Sequence, residues 1–133
     1  MNFEKKTSKR SIGLWFCLIC VAVSGGFSTR VVNGAEEINI GMSTSLTGPS
    51  ALLGKEMVLG VEAYFKKVND QGGVNGKKLR LIALDDGYEP SRAAPNMRKL
   101  IEDDNVVAVI GNVGTPTAVV SVPIANEKNT LLF

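Results

Sequence analysis

Two short loops carry the residue types that could do chemistry. The first runs from Thr47 to Gly54 and combines hydroxyl groups with glycines, and the second consists of Val113, Gly114 and Thr115. Each loop follows a predicted strand and leads into a predicted helix. Hydroxyls and free backbone N–H groups at a helix N-terminus suit a small polar or anionic ligand. The residues alone leave two alternatives open: Thr115 as a simple N-cap worth about 1 kcal/mol, and Leu53 as a core residue.

A third candidate is the acidic pair Asp85–Asp86, which follows the second predicted strand. Two carboxylates could bind Mg²⁺ or serve as acid and base. The alternative is a loop that hydrogen-bonds the next helix and faces water. No third ligand is visible near the pair, so the sequence favours this alternative.

Several kinds of catalytic centre lack their residues. The chain has no histidine, and its two cysteines, Cys17 and Cys20, lie in an apolar N-terminal run. Zinc sites and Ser-His or Cys-His nucleophilic centres are therefore disfavoured. The glycine-rich fingerprints for dinucleotides and nucleotide phosphates are also missing. We expect no catalytic residue, no metal and no cofactor.

The N-terminus has the three parts of a secretory signal. Four basic residues precede the apolar run Ile12–Val23, and small residues follow it. About a dozen apolar residues fall short of the ~20 that span a bilayer. An uncleaved anchor extended through Val32 is the alternative, which Arg30 disfavours. We predict a signal peptide over residues 1–35, cleaved between 24 and 35, and a periplasmic mature protein.

The charge of the chain changes when that segment is removed. Residues 36–133 contain ten basic and twelve acidic residues, a net charge of −2, against +2 for the whole chain. The basicity belongs to the targeting peptide, so nucleic acid is not an expected partner. The mature part also has no cysteine, and its stability must come from its core.

Strand and helix patterns alternate along the mature chain. The alternation predicts an α/β fold with a doubly wound parallel sheet and right-handed crossovers. Pro95 should either set the start of the second helix near Asn96 or kink it. Val106–Ile110 is continuously apolar, which is typical of a central strand covered on both faces. The predicted strands are Ile38–Met42, Lys78–Leu84, Val106–Ile110 and one from Thr130, and the helices are Ala51–Asp70, Pro90–Asp103 and Pro116–Glu127.

Motifs in this order resemble the leucine-binding-protein-like substrate-binding proteins of branched-chain amino acid ABC transporters. The resemblance covers Glu37 to Phe133 and rests on the LTGPSALLG loop, the GGVNGKKL turn, the DD loop and the VIGNVGT strand end. It implies two lobes of the type I periplasmic binding fold that close on a small amphiphilic solute, without catalysis, and deliver it to permease subunits. Residues 36–133 would then be the first part of the N-terminal lobe, truncated.

The resemblance also implies ligand contacts by Leu53, Val113, Gly114 and Thr115. Leu53 stands where many relatives have an aromatic residue, and Thr115 where a hydroxyl holds the ligand carboxylate. Some relatives carry a disulfide at the places of Tyr88 and Gly114, which this chain lacks. Two other functions stay open: a periplasmic ligand-sensing domain for a signalling system, and an exported enzyme on the same kind of sheet.

Overall fold

The computed structural model describes residues 36–133. The predicted signal peptide and its cleavage point lie outside the described residues. Within them, four strands alternate with three helices, and a single π-helical turn at Lys99–Asp103 extends the second helix. The strands are β1 (Glu37–Thr44), β2 (Lys78–Asp85), β3 (Ala108–Val109) and β4 (Leu131–Leu132), and the helices are α1 (Ala51–Asp70), α2 (Pro90–Arg98) and α3 (Thr115–Glu127).

All four strands are parallel and lie in the order β2-β1-β3-β4. The chain moves from β1 outward to β2, then back across β1 to β3. Because parallel crossovers are right-handed, this reversal places α1 on one face and α2 and α3 on the other. The predicted doubly wound α/β class is therefore confirmed, and α1 has the predicted bounds.

The main core lies between the sheet and the pair α2 and α3. Met97 and Leu100 are fully buried there, and Ile124 and Ala125 of α3 join Val109 of the sheet. Burial of a large apolar side chain contributes about 1.5–3 kcal/mol. Gly41 of β1 lets Leu100 approach, since a Cβ there would lie 3.2 Å from both Leu100 methyl carbons.

The second helix has the predicted start, and one of the two alternatives for Pro95 is ruled out. The helix begins at Pro90, and Pro95 lies inside it, so Asn96 is not its start. Proline suits the first helical position because its fixed φ is already helical. The last turn is wider than an α-helix: the Asp104 N–H donates to the Lys99 carbonyl, five residues earlier, at 3.0 Å.

The expectation that Val106–Ile110 is covered on both faces is only partly correct. Val109 is fully buried, whereas 58% of the Val107 surface is exposed. Val107 lies before the two-residue ladder of β3, at the end of the strand that no described helix covers. On β4, Leu131 is also exposed, and Leu132 packs against the core.

Helix α1 approaches the end of β1 through a glycine. A Cβ on Gly54 would overlap the Ser45 carbonyl oxygen, and its distance to the Ser45 amide nitrogen would be 3.2 Å. Both neighbours are backbone atoms, which cannot rotate away. By contrast, a Cβ on Gly60 of the same helix would meet nothing within 4 Å.

We therefore expect opposite effects from two alanine substitutions in α1. Gly54→Ala should lower the free energy of unfolding by about 1–3 kcal/mol, because overpacking against backbone forces the helix to shift. Gly60→Ala should raise it by about 0.5–1 kcal/mol, because alanine loses less backbone entropy in a helix. Urea unfolding of the purified protein measures both, and equal stability of the two variants would contradict the packing.

Candidate functional site

The two predicted loops follow β1 and β3, which are hydrogen-bonded neighbours. Gly41 of β1 pairs with Val109 of β3, and the Ile110 N–H donates to the Gly41 carbonyl at 2.9 Å. Since parallel strands end at the same edge, both loops lie at the carboxyl edge of the sheet, where the strand order reverses. Doubly wound sheets bind their ligands in the crevice at this place.

Asp85, the last residue of β2, holds the loop after β1. Its Oδ1 accepts backbone N–H groups from Leu46 at 2.9 Å, Thr47 at 3.1 Å and Gly87 at 2.9 Å. Its Oδ2 accepts the Thr47 hydroxyl at 2.7 Å and the Arg92 guanidinium at 2.7 Å. Five donors on one carboxylate fix the entry of the loop.

These donors decide the ionisation of Asp85. Burial raises the pKa of this carboxyl, but the hydrogen bonds from Thr47, Leu46, Arg92 and Gly87 together outweigh it and hold the pKa well below its usual range. Asp85 is thus an anion whose lone pairs are occupied, which suits an anchor and not a proton donor. Within residues 36–133, no group of three or more His, Cys, Asp or Glu residues is placed to hold a metal ion.

Asp86 has a different environment from the one expected. Its side chain is fully buried, so the prediction that the pair faces water is wrong for this residue. Its Oδ2 accepts the Ser43 hydroxyl at 2.9 Å, and its Oδ1 accepts the Tyr88 N–H at 2.8 Å. Asp86 therefore ties β1 to the loop that follows β2.

A chain of polar side chains continues beneath the second loop. Asn112 accepts the Ser43 N–H at 3.4 Å and donates to the Ser121 hydroxyl at 3.3 Å. Ser121 donates to the Thr117 carbonyl at 2.8 Å. The sequence analysis missed Asn112 and Ser121, although the hydroxyls of Thr117 and Ser121, four residues apart on a helix, are a visible sign of one polar face.

The N-terminus of α3 begins one residue earlier than predicted. Gly114 is the N-cap, with φ of 107°, and Thr115 is the first helical residue, so the expectation that Thr115 caps the helix is wrong. The Thr117 hydroxyl lies 2.8 Å from the carbonyl oxygens of both Val113 and Gly114, and it stabilises the turn that leads into the helix. The Thr115 side chain is exposed and free to meet a ligand.

This helix end keeps unused donors. Its first intrahelical bond runs from the Ala118 N–H to the Gly114 carbonyl at 3.0 Å. Pro116 has no N–H, and no side chain among residues 36–133 caps the helix. The Thr115 N–H has no acceptor in the described part of the chain, whereas Thr117 is fully buried and its N–H is out of reach of a solute. The Thr115 N–H, the Thr115 hydroxyl and the helix dipole can together hold a carboxylate.

The other predicted contacts differ in what they can offer. Leu53, in the first turn of α1, is 58% exposed, which excludes a core position within the described structure. Val113 is buried, so its side chain belongs to the core and not to an open surface. Gly114 lies between them in exposure and presents backbone alone. The available chemistry is one hydroxyl, a few N–H groups and an aliphatic side chain, which can hold a solute.

Acid should weaken the anchor at Asp85. The folded-state pKa lies below the ordinary value of 3.8, so its stabilisation is present above that value and is lost as pH falls below it. Asp85→Asn should cost about 1.5–3 kcal/mol at pH 7, the range for charged hydrogen bonds. The variant should also lose less stability than the wild type between pH 5 and about pH 2.

A second aspartate provides the control. Asp70 pairs with Lys66 at 2.7 Å on an exposed part of α1. Exposed pairs of this spacing contribute about 0.3–0.5 kcal/mol, so Asp70→Asn should change stability little. Urea unfolding of the wild type, Asp85→Asn and Asp70→Asn at pH 7, pH 5 and about pH 2 measures these stabilities. Parallel pH profiles for wild type and Asp85→Asn would show that Asp85 is no anchor.

Comparison with known families gives one consistent answer. A family model described as "Periplasmic binding protein" matches residues 37–133. An amino acid binding protein of Pseudomonas aeruginosa is 31% identical over 97 residues, which are 71% of this chain and 25% of that protein. The chain spans only about a quarter to a third of the length of these curated relatives.

Solved structures with the same fold support the match. A possible leucine/isoleucine/valine-binding protein from Rhodopirellula baltica superposes with a TM-score of 0.70 at 50% identity, over 72% of this chain and 26% of that one. The branched-chain amino acid transporter substrate-binding protein LivJ of Streptococcus pneumoniae, solved with isoleucine, has a TM-score of 0.70 at 25% identity, over 73% and 28%.

Proposed function

We propose that this chain, which belongs to the periplasmic binding protein family, forms part of the solute-binding component of an ABC importer. The solute is a small amphiphile such as a branched-chain amino acid or a related amide or carboxylate. It is held in a cleft between two lobes and passed to permease subunits without being transformed. The described residues supply one wall of that cleft, on the periplasmic side of the membrane.

The observation that carries this proposal is the open N-terminus of α3. The N–H of Thr115 lacks an acceptor among the described residues, and the exposed Thr115 side chain adds a hydroxyl. A carboxylate placed there gains charge-assisted hydrogen bonds and a favourable interaction with the helix dipole. The polar groups deeper in the site, Asp85 and Asp86, are already satisfied by protein donors.

Each proposed contact then has a distinct part. Thr115 holds the solute carboxylate through its hydroxyl and N–H, and Gly114, the N-cap of α3, offers backbone alone. Val113 contributes backbone only. Leu53 offers an aliphatic surface from the first turn of α1, which fits the apolar part of an amphiphilic solute. No described residue carries out chemistry on the solute.

Calorimetry tests the proposal directly. The full-length protein is titrated with leucine, isoleucine, valine, their amides, and small carboxylates without an amino group. We expect at least one of these to bind at micromolar concentration or tighter. A protein that gives a cooperative unfolding transition but binds no member of the panel would overturn the proposal.

The Thr115 hydroxyl offers a sharper prediction. Thr115→Val keeps the shape of the side chain but removes a hydrogen bond to a charged group, which contributes about 1.5–3 kcal/mol. The dissociation constant of a bound carboxylate should therefore rise by roughly 10- to 100-fold. Thr115→Ser should restore most of the affinity, because it returns the hydroxyl.

Thr130 serves as the matched control. It precedes β4, at the opposite edge of the sheet from the proposed site. Thr130→Val should leave the dissociation constant within about twofold, a difference of less than 0.5 kcal/mol. Equal affinities of the wild type and Thr115→Val for the same carboxylate would show that the hydroxyl does not hold it.

A further inference from the structure

We propose that Tyr88 positions the N-terminus of α3 by pressing its ring against Gly114. Tyr88 lies in the loop after β2, and Gly114 is the N-cap of α3 after β3. The contact joins two loops that no backbone hydrogen bond in the described structure connects. Its consequence for affinity rests on the proposed function, whereas the contact itself can be tested without any solute.

The Tyr88 ring occupies the space that a side chain on Gly114 would need. A Cβ built on Gly114 would lie 2.5 Å from Cε2 and 2.8 Å from Cζ of Tyr88. Real Cβ atoms do not approach other atoms so closely, so only glycine can seat the ring here. All three nearest atoms are ring carbons, and the hydroxyl is not among them. Phenylalanine should therefore make the same contact.

The backbone of Tyr88 is held in a conformation that serves this contact. Its φ is 69°, in the left-handed region that residues other than glycine seldom adopt. Its N–H donates to Asp86 Oδ1 at 2.8 Å, and Asp86 is fully buried and bonded to Ser43 of β1. A buried carboxylate thus fixes the loop that presents the ring. Such local strain persists only where the surroundings maintain it.

Gly114 needs this support because glycine is the most flexible residue. Its φ of 107° and ψ of 133° lie outside the regions open to other residues. On one side, the Thr117 hydroxyl binds its carbonyl at 2.8 Å. The Tyr88 ring fills the space beside the Gly114 Cα. Without the ring, Gly114 could reach further conformations, and the donors of Thr115 would lose their fixed direction.

The effect on affinity follows from the fraction of molecules that keep the binding geometry. An apparent dissociation constant equals the intrinsic one divided by that fraction. If release of the ring leaves about a tenth of the molecules competent, the constant rises about tenfold. Tyr88→Ala should produce a change of this order, and Tyr88→Phe should stay within about twofold of the wild type.

Hydrogen exchange of the full-length protein tests the contact itself. We expect Tyr88→Ala to speed amide exchange at Ala118, whose N–H donates to the Gly114 carbonyl, at least about tenfold, as a population effect of that size requires, while amides in the middle of α1 stay unchanged. Tyr88→Phe should behave like the wild type. The control is Tyr64→Ala, which removes the same side chain from an exposed position on α1. Unchanged exchange at Ala118 in Tyr88→Ala would overturn the proposal.

A double substitution separates the contact from the backbone requirement. Gly114→Ala should lower the melting temperature both by its positive φ and by its overlap with the ring. In the Tyr88→Ala background the overlap is absent, so the same substitution should lower the melting temperature less. Equal drops in the two backgrounds would show that the ring does not occupy the space over Gly114.

Calorimetry with the solute then connects the contact to binding. A higher dissociation constant for Tyr88→Ala, restored by Tyr88→Phe, supports the positioning role. Faster exchange with unchanged affinity overturns the role in binding. If the wild type binds no member of the panel, the proposed function fails, and hydrogen exchange still decides whether Tyr88 positions α3.

Discussion

Two adjacent carboxylates at the end of β2 fix the loops at the carboxyl ends of β1 and β2. Successive side chains of a strand point to opposite faces, so Asp85 and Asp86 reach different partners. Asp85 gathers the N–H groups of the loop before α1, and Asp86 binds Ser43 of β1 and the N–H of Tyr88. These bonds therefore hold the loop after β1 and the loop after β2.

The same bonds explain why the site is suited to binding. A catalytic carboxylate needs a free lone pair or a movable proton, but Asp85 accepts from five donors and its pKa is held low. Deeper hydroxyls are also engaged, with Ser43 on Asp86 and Ser121 on the Thr117 carbonyl. The groups that stay free and exposed at this edge are the N–H and the hydroxyl of Thr115.

The sequence predicted the scaffold well and the site less well, for a physical reason. Helix α1 and the doubly wound parallel class follow from periodicity and from the alternation of strands and helices, which depend on many residues at once. The start of α3 depends on one local contact. The Thr117 hydroxyl binds the carbonyls of Val113 and Gly114, and Gly114 is the N-cap in place of Thr115. The burial of Asp86 likewise depends on Ser43, which is 43 residues away in sequence. Contacts of this kind leave no local pattern.

The site is built by close approach of backbone and not by a dense set of side chains. Gly54 lets α1 meet the Ser45 backbone, and Gly114 gives the Tyr88 ring its seat. In the proposed function, the solute carboxylate accepts hydrogen bonds from the N–H and the hydroxyl of Thr115, and the carboxylate of any small amphiphile can do so. Discrimination between solutes on this wall then falls to exposed side chains such as Leu53. In that role Leu53 contributes through apolar contact area and not through a specific polar bond.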